Sequence, residues 1–202
     1  MLKPTPLAKS VSESLGRLFG WVPLHPNTIT AIAVIFSIAG SVLFLCPCQY
    51  PAGFAFFLLA FFLDAVDGAV ARAKKLTSKK GAFLDGISDR LVEFFLVLAL
   101  FVSATEPAAK LLLVAILFFG TCMTAFVKAY AEHSGLLGHE TAKRMPGLLE
   151  RAERSVLLLL GPLLQITGYG AYLVYLLALI ALLSAATFLQ RAAYALSLSR
   201  EA

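Results

Sequence analysis

Apolar residues run along this chain in long blocks separated by short polar stretches. Six blocks are read, over 28–45, 52–71, 82–104, 108–131, 155–167 and 171–195. A helix needs about 20 such residues to cross a hydrocarbon layer about 30 Å thick. The fifth block is short for that, and is expected to extend helically back through 148–154. Ahead of the first block, Leu7, Val11, Leu15, Leu18 and Val22 recur at helical spacing, with Lys9, Ser10, Ser12, Glu13 and Arg17 on the other face. That pattern predicts an amphipathic helix lying on a membrane surface. Pro23, Pro26 and Asn27 break the chain before the first block, where Asn27 or Thr28 can cap the helix that follows.

The expected fold is therefore an all-α integral membrane protein. Six transmembrane helices follow an amphipathic N-terminal surface helix. A single domain covers residues 1–202, with the arm at 1–24 and the six-helix bundle at 25–202. Composition agrees: 59% of the 202 residues are hydrophobic and 14% charged, with a mean hydropathy of +0.84, outside the range of a soluble domain.

Charge placement gives an orientation. Of the 17 Lys and Arg, all but Lys110 fall in the N-terminal arm, in the second and fourth loops with their flanks, or near the C-terminus. The outer connections 46–51 and 165–170 carry none. The positive-inside rule then places both termini in the cytoplasm, in a multi-pass protein of the plasma membrane. No cleavable signal is expected. The three Cys are too few for a disulfide framework, and Cys46 and Cys48 are read as bystanders.

Against this apolar background, four carboxylates stand out. Asp64-x-x-Asp67-Gly68-x-x-Ala71-Arg72 is followed, after eight residues, by Gly81-x-x-x-Asp85-x-x-x-Asp89. An ionised Asp at the centre of a membrane helix costs roughly 2.5–3.5 kcal/mol, so four left unpaired would cost on the order of 10 kcal/mol. Asp64 and Asp67 share one helical face, and Gly81, Asp85 and Asp89 share another. A short loop would bring the two faces together. Four clustered carboxylates do not all ionise without cations between them. Oxygen-only ligands select hard ions such as Mg2+, Mn2+ or Ca2+, and the lack of His or Cys in the motif argues against zinc. Gly68 would allow a phosphate close approach, and Arg72 could hold one bidentately.

This spacing resembles, position for position, the signature of the CDP-alcohol phosphotransferase family. Members transfer a phosphoalcohol from a CDP-linked donor to an acceptor hydroxyl and release CMP. The resemblance implies that Asp64, Asp67, Asp85 and Asp89 hold two Mg2+ or Mn2+ ions, and that Asp89 is the general base. It implies that Gly68, Ala71, Arg72, Thr77 and Gly81 contact the nucleotide, and that the enzyme is a homodimer. Pro26-Asn27-x-x-Thr30 also resembles the opening of the family's first span.

A second basic set lies later in the chain: Lys128, Arg151, Arg154 and Arg191. Each has a plainer reading, as a side chain reaching the membrane surface or paired with Glu150 or Glu153. Together, on a cavity, they would suit an acceptor that carries its own phosphate. The stretches 126–132, 150–154 and 188–191 are similar to the phosphatidylinositol-phosphate and archaetidylinositol-phosphate synthase branch, although Ala125 and Tyr130 stand where that branch carries Ser and Arg. The resemblance implies inositol 1-phosphate as acceptor, with those four cations on its phosphate.

The expected activity is transfer of a phosphatidyl or archaetidyl group to inositol 1-phosphate during phospholipid biosynthesis, at a site facing the cytoplasm. The expected partners are a CDP-linked lipid, a phosphorylated small alcohol and membrane lipid, with no nucleic acid. Glycerol 3-phosphate or another alcohol is the alternative acceptor. A divalent-cation transporter is a remote alternative, disfavoured because Lys74, Lys75, Lys79 and Lys80 would repel a cation at the entry.

Overall fold

In the computed structural model, residues 14, 17–19, 21, 25–76 and 78–198 are described. All regular structure among them is helical. The helices are α1 (Pro26–Leu43), α2 (Tyr50–Ala73), α3 (Lys79–Ser103), α4 (Pro107–Ala115), α5 (Thr124–His133), α6 (His139–Lys143), α7 (Arg151–Ile166) and α8 (Leu173–Leu198). A π-helical segment, Ile116–Met123, joins α4 to α5 without a break. Short 3-10 turns, Pro47–Gln49 and Gly170–Tyr172, precede α2 and α8.

Among the described residues, four stretches are long and apolar enough to cross a membrane: Pro26–Leu43, Pro47–Ala73, Pro107–His133 and Gly170–Leu198. Two expected spans fall outside that set for visible reasons. The stretch of α3 from Lys79 to Glu93 carries Lys79, Lys80, Asp85, Asp89, Arg90 and Glu93, and α7 has only 16 residues. Most of the expected N-terminal surface helix lies outside the described residues. Within it, Leu18 and Trp21 are exposed, while the Phe19 ring stands edge-on to Phe62 of α2 at 5.6 Å.

The chain forms two compact units, divided between Ser103 and Ala104. In the first, α1 packs along both α2 and α3. Its tightest crossing is made by two glycines. A Cβ on Gly53 would lie 2.6 Å from Phe44 and 3.0 Å from the Gly40 carbonyl oxygen, so neither helix backbone has room for a side chain there. Phe44 is buried, stacked on Tyr50 at 4.6 Å. Nearer the polar end, Ile29 of α1 packs on Val66 and Val70 of α2.

In the second unit α8 is the central element, in contact with α4, the π segment, α5 and α7. A small cluster of Ala131, Leu137, Ala142, Met145 and Ala195 closes one end. In both units large apolar side chains lie on the outside as well as in the core, and some polar ones are buried. Ile35, Leu58, Phe118 and Leu182 face outward, whereas Ser37, Glu93, Arg154, Ser184, Thr187 and Arg191 are buried. In water, broad apolar surface of this kind is a liability. In a bilayer it is what the solvent requires, and polar groups turn inward to find partners.

One helix boundary departs from the expectation. The residue that caps α1 is His25, whose Nδ1 accepts from the Asn27 N–H at 3.3 Å, not Asn27 or Thr28. The cause is Pro26. Its fixed φ suits the first helical position, where a missing N–H costs nothing, so the helix starts there and the cap falls on the residue before it, His25.

Candidate active site

The first unit assembles the acidic motif. Asp64 and Asp67 come from the last turns of α2, and Asp85 from the second turn of α3. One carboxylate oxygen of each lies within 4.8 Å of the others. Asp67 is 3% exposed and fixed from a third helix: Thr30 of α1 donates its hydroxyl to Asp67 Oδ2. Thr30 Oγ1 also lies 3.1 Å from the Pro26 carbonyl oxygen. The other oxygen, Asp67 Oδ1, is buried with no hydrogen-bond partner among the described residues. A buried, unpartnered oxygen on a carboxylate that converges with two others is costly unless a cation sits among them. The set therefore fits a hard divalent ion.

Asp89 lies one turn beyond Asp85 on the same face of α3. It is buried, with Oδ2 3.7 Å from Arg90 Nη1, and does not belong to the converging three. Arg90 itself folds back to donate to the Gly86 carbonyl at 2.7 Å.

Beside the carboxylates is a cavity of about 200 Å³. Asp67, Gly68, Ala71 and Arg72 of α2 form one wall, and Ser78, Gly81 and Asp85 form another. Arg72 folds over Gly68 so closely that a Cβ there would meet Nη1 at 3.3 Å. At Gly81 a Cβ would lie 3.2 Å from Ser78 Oγ and 3.6 Å from Asn27 Oδ1. The two glycines of the motif thus keep two walls of the cavity open. Ser78 accepts from the Gly81 N–H at 3.0 Å, satisfying a free donor at the start of α3. Asn27, Thr30 and Ser78 line the site without having been singled out for it by sequence reasoning. The Pro26-Asn27-x-x-Thr30 pattern is the signal that could have found two of them. Thr77 lies outside the described residues.

The loop between α2 and α3 is set by a helix end of defined geometry. Leu76 N–H bonds back to the Ala71 carbonyl at 2.9 Å, and Lys75 N–H to that of Arg72 at 3.2 Å. This is a Schellman closure, which needs a left-handed residue at its turn. Here that residue is Lys75, with φ of 55°.

The second unit holds the other cations. Arg191 is 5% exposed. Its Nη2 donates to both carboxylate oxygens of Glu150, at 2.8 and 2.9 Å. Its Nη1 donates to the Thr124 carbonyl at 2.9 Å, and its Nε to that of Pro146 at 3.2 Å. Arg154, 3% exposed, runs against the π segment. A Cβ on Gly120 would lie 3.0 Å from both Arg154 Cδ and Ser184 Oγ. Lys128 is half-buried and within electrostatic reach of Arg191 and Glu150. Arg151 is half-buried in the first turn of α7.

Residues 23–196 match the CDP-alcohol phosphatidyltransferase family. The chain belongs to that family. It is an integral membrane transferase of phospholipid biosynthesis.

Among relatives, it is 31% identical to the archaetidylinositol phosphate synthase of Pyrococcus horikoshii, over 94% of this chain and 93% of that one. It is 33% identical to the phosphatidylinositol phosphate synthase of Mycobacterium marinum, over 75% of this chain and 63% of that one. The crystal structure of the Mycobacterium tuberculosis phosphatidylinositol phosphate synthase with CDP-DAG bound superposes with a TM-score of 0.71 at 25% identity, covering 92% of this chain and 94% of that one. The same enzyme in complex with manganese and citrate superposes with a TM-score of 0.75, also at 25% identity, covering 91% and 88%.

Proposed function

We propose that this protein transfers a phosphatidyl or archaetidyl group from a CDP-linked lipid to inositol 1-phosphate and releases CMP. The carrying observation is the convergence of Asp64, Asp67 and Asp85, with an unpartnered buried oxygen on Asp67, beside a cavity kept open by Gly68 and Gly81. The acceptor is supported by the relatives named for inositol phosphate lipids, and by a set of four cations apart from the acidic motif. Six spans, a cytoplasmic site in the plasma membrane and a homodimer complete the reading. They are supported by charge placement and by the family resemblance.

In this mechanism Asp64, Asp67 and Asp85 would hold two Mg2+ or Mn2+ ions, with Asp89 at the rim, and such ions would supply positive charge to the donor's pyrophosphate and to the CMP leaving group. Gly68, Ala71 and Gly81 leave room for the nucleotide phosphates. Arg72 and Thr77 offer donors to them. Asp89 takes the proton of the acceptor hydroxyl as its oxygen attacks the lipid-bearing phosphorus. One O–P bond forms, the P–O bond to CMP breaks, and the electron pair leaves with CMP. Lys128, Arg151, Arg154 and Arg191 supply positive charge for the acceptor's phosphate.

The test is CMP release from a CDP-linked lipid by the purified full chain, with inositol 1-phosphate, glycerol 3-phosphate, free inositol and serine as acceptors. Turnover with inositol 1-phosphate, abolished by a chelator, is the expected result. A preference for glycerol 3-phosphate would overturn the acceptor, and chelator-insensitive turnover would overturn the metal.

A further inference from the structure

The α6–α7 connection and the start of α7 are fastened to α8 at a few points, and one carboxylate sits at the junction. Glu150 immediately precedes α7. Its backbone N–H is taken by Glu153 Oε2 at 3.0 Å, and its carbonyl accepts the first helical bond from Arg154 N–H at 3.0 Å. Its side chain accepts from the Glu153 backbone N–H, completing a capping box, and it also grips Arg191 of α8 with both oxygens. The loop backbone lies flat against this pair. A Cβ on Gly147 would be 2.9 Å from Arg191 Nη2 and 3.0 Å from Glu150 Oε1. Leu149 N–H is held by Thr187 Oγ1 at 3.0 Å, one turn before Arg191 on α8.

Arg191 also reaches the Thr124 carbonyl, one helical turn before Lys128. One guanidinium therefore ties together α5, the loop and the first turn of α7. All three N–H-bearing nitrogens of Arg191 bond to protein acceptors, so its direction is set by those bonds. We infer that Glu150 is a positioning residue for acceptor binding. By fixing Arg191, it fixes the turn that carries Arg151 and Arg154 and the helix that carries Lys128. Arg191 adds its charge to the set while its N–H groups hold the scaffold.

Glu150 is also an anion among these cations. Its side chain is 37% exposed beside an Arg191 side chain that is 6% exposed. Replacing it with Gln keeps one oxygen acceptor, but turns the second position into an amide donor facing Nη2. The bidentate geometry is then lost, and with it the fixed orientation.

This inference rests on the acceptor reading above. The experiment measures KM and kcat for inositol 1-phosphate and for the CDP-lipid in wild type, Glu150→Gln, Glu150→Asp and Arg154→Ala. Thermal unfolding in detergent is read in parallel. Glu150→Gln is expected to raise the acceptor KM about tenfold, with the donor KM and kcat within about twofold, the pattern of lost ground-state binding. Glu150→Asp keeps the charge and shows a smaller rise. If Glu150→Gln fails to fold, Glu150→Asp carries the same comparison. If Arg154→Ala raises the acceptor KM while the Glu150 variants leave it unchanged, or move both KM values and kcat together, the positioning role is wrong and the acceptor reading stands. If no variant alters the acceptor KM, the acceptor reading fails and this inference with it.

Discussion

Thr30→Val offers the sharpest test of how the carboxylate cluster is held. The substitution nearly conserves volume at a site 8% exposed and removes only the hydroxyl. That hydroxyl is the hydrogen-bond donor from α1 to Asp67 Oδ2, and it holds a carboxylate that converges with Asp64 and Asp85. A hydrogen bond to a charged acceptor contributes roughly 1.5–3 kcal/mol. If that energy goes into preorganising the cluster, its loss weakens divalent-cation affinity by about 10- to 100-fold, the range also seen when a partner behind a metal ligand is removed. The assay is CMP release titrated with Mg2+ or Mn2+. Half-saturation shifts upward by that factor, while the rate at saturating metal stays within about threefold of wild type. Thr30→Ser restores the donor and returns the titration to near wild type. An unchanged metal titration in a folded Thr30→Val protein would refute the reasoning and leave Thr30 a packing residue.

Other expectations follow from particular contacts. Asp89→Asn should lower transfer by about 10²- to 10⁴-fold, the usual contribution of a general base, with metal binding measured by calorimetry nearly unchanged. Gly120→Ala should raise the acceptor KM without moving the metal titration, because the added Cβ meets Arg154 Cδ at 3.0 Å. Gly53→Ala should destabilise the protein by about 1–3 kcal/mol, read as a lower Tm in detergent, since the buried Phe44 ring 2.6 Å away has no space to retreat. Lys75→Gly should raise stability by roughly 1 kcal/mol by relieving a left-handed φ, whereas Lys75→Ala should not.

The acidic motif was legible in the sequence because its geometry is local. Residues three and four apart on a helix share a face whatever the surroundings, and Asp64, Asp67 and Asp85 needed only a short loop to meet. The glycines were legible for the same reason, since each clears its own helix. Thr30 was harder, because its partner lies 37 residues away and only the packing of α1 on α2 makes the bond. Glu150 and Arg191 are 41 residues apart, and a lone arginine in an apolar helix carries no mark of which carboxylate it will find. The π segment left no trace in the hydrophobic pattern, because 116–123 is apolar almost throughout and any helical winding satisfies that.

That segment has a mechanical consequence. Each residue added to a helical turn rotates everything after it by about 100° relative to a continuous α-helix. Ile116–Met123 therefore works as an indexing step within one membrane-crossing rod. The part before it, α4, can keep its packing against α8 while Lys128 is dialled to a different bearing. Removing one residue from the step would turn the cationic end of the rod without moving its apolar end. Aim and anchorage are separable in this helix, and a family of enzymes built on it could change what it grips without changing how it sits in the lipid.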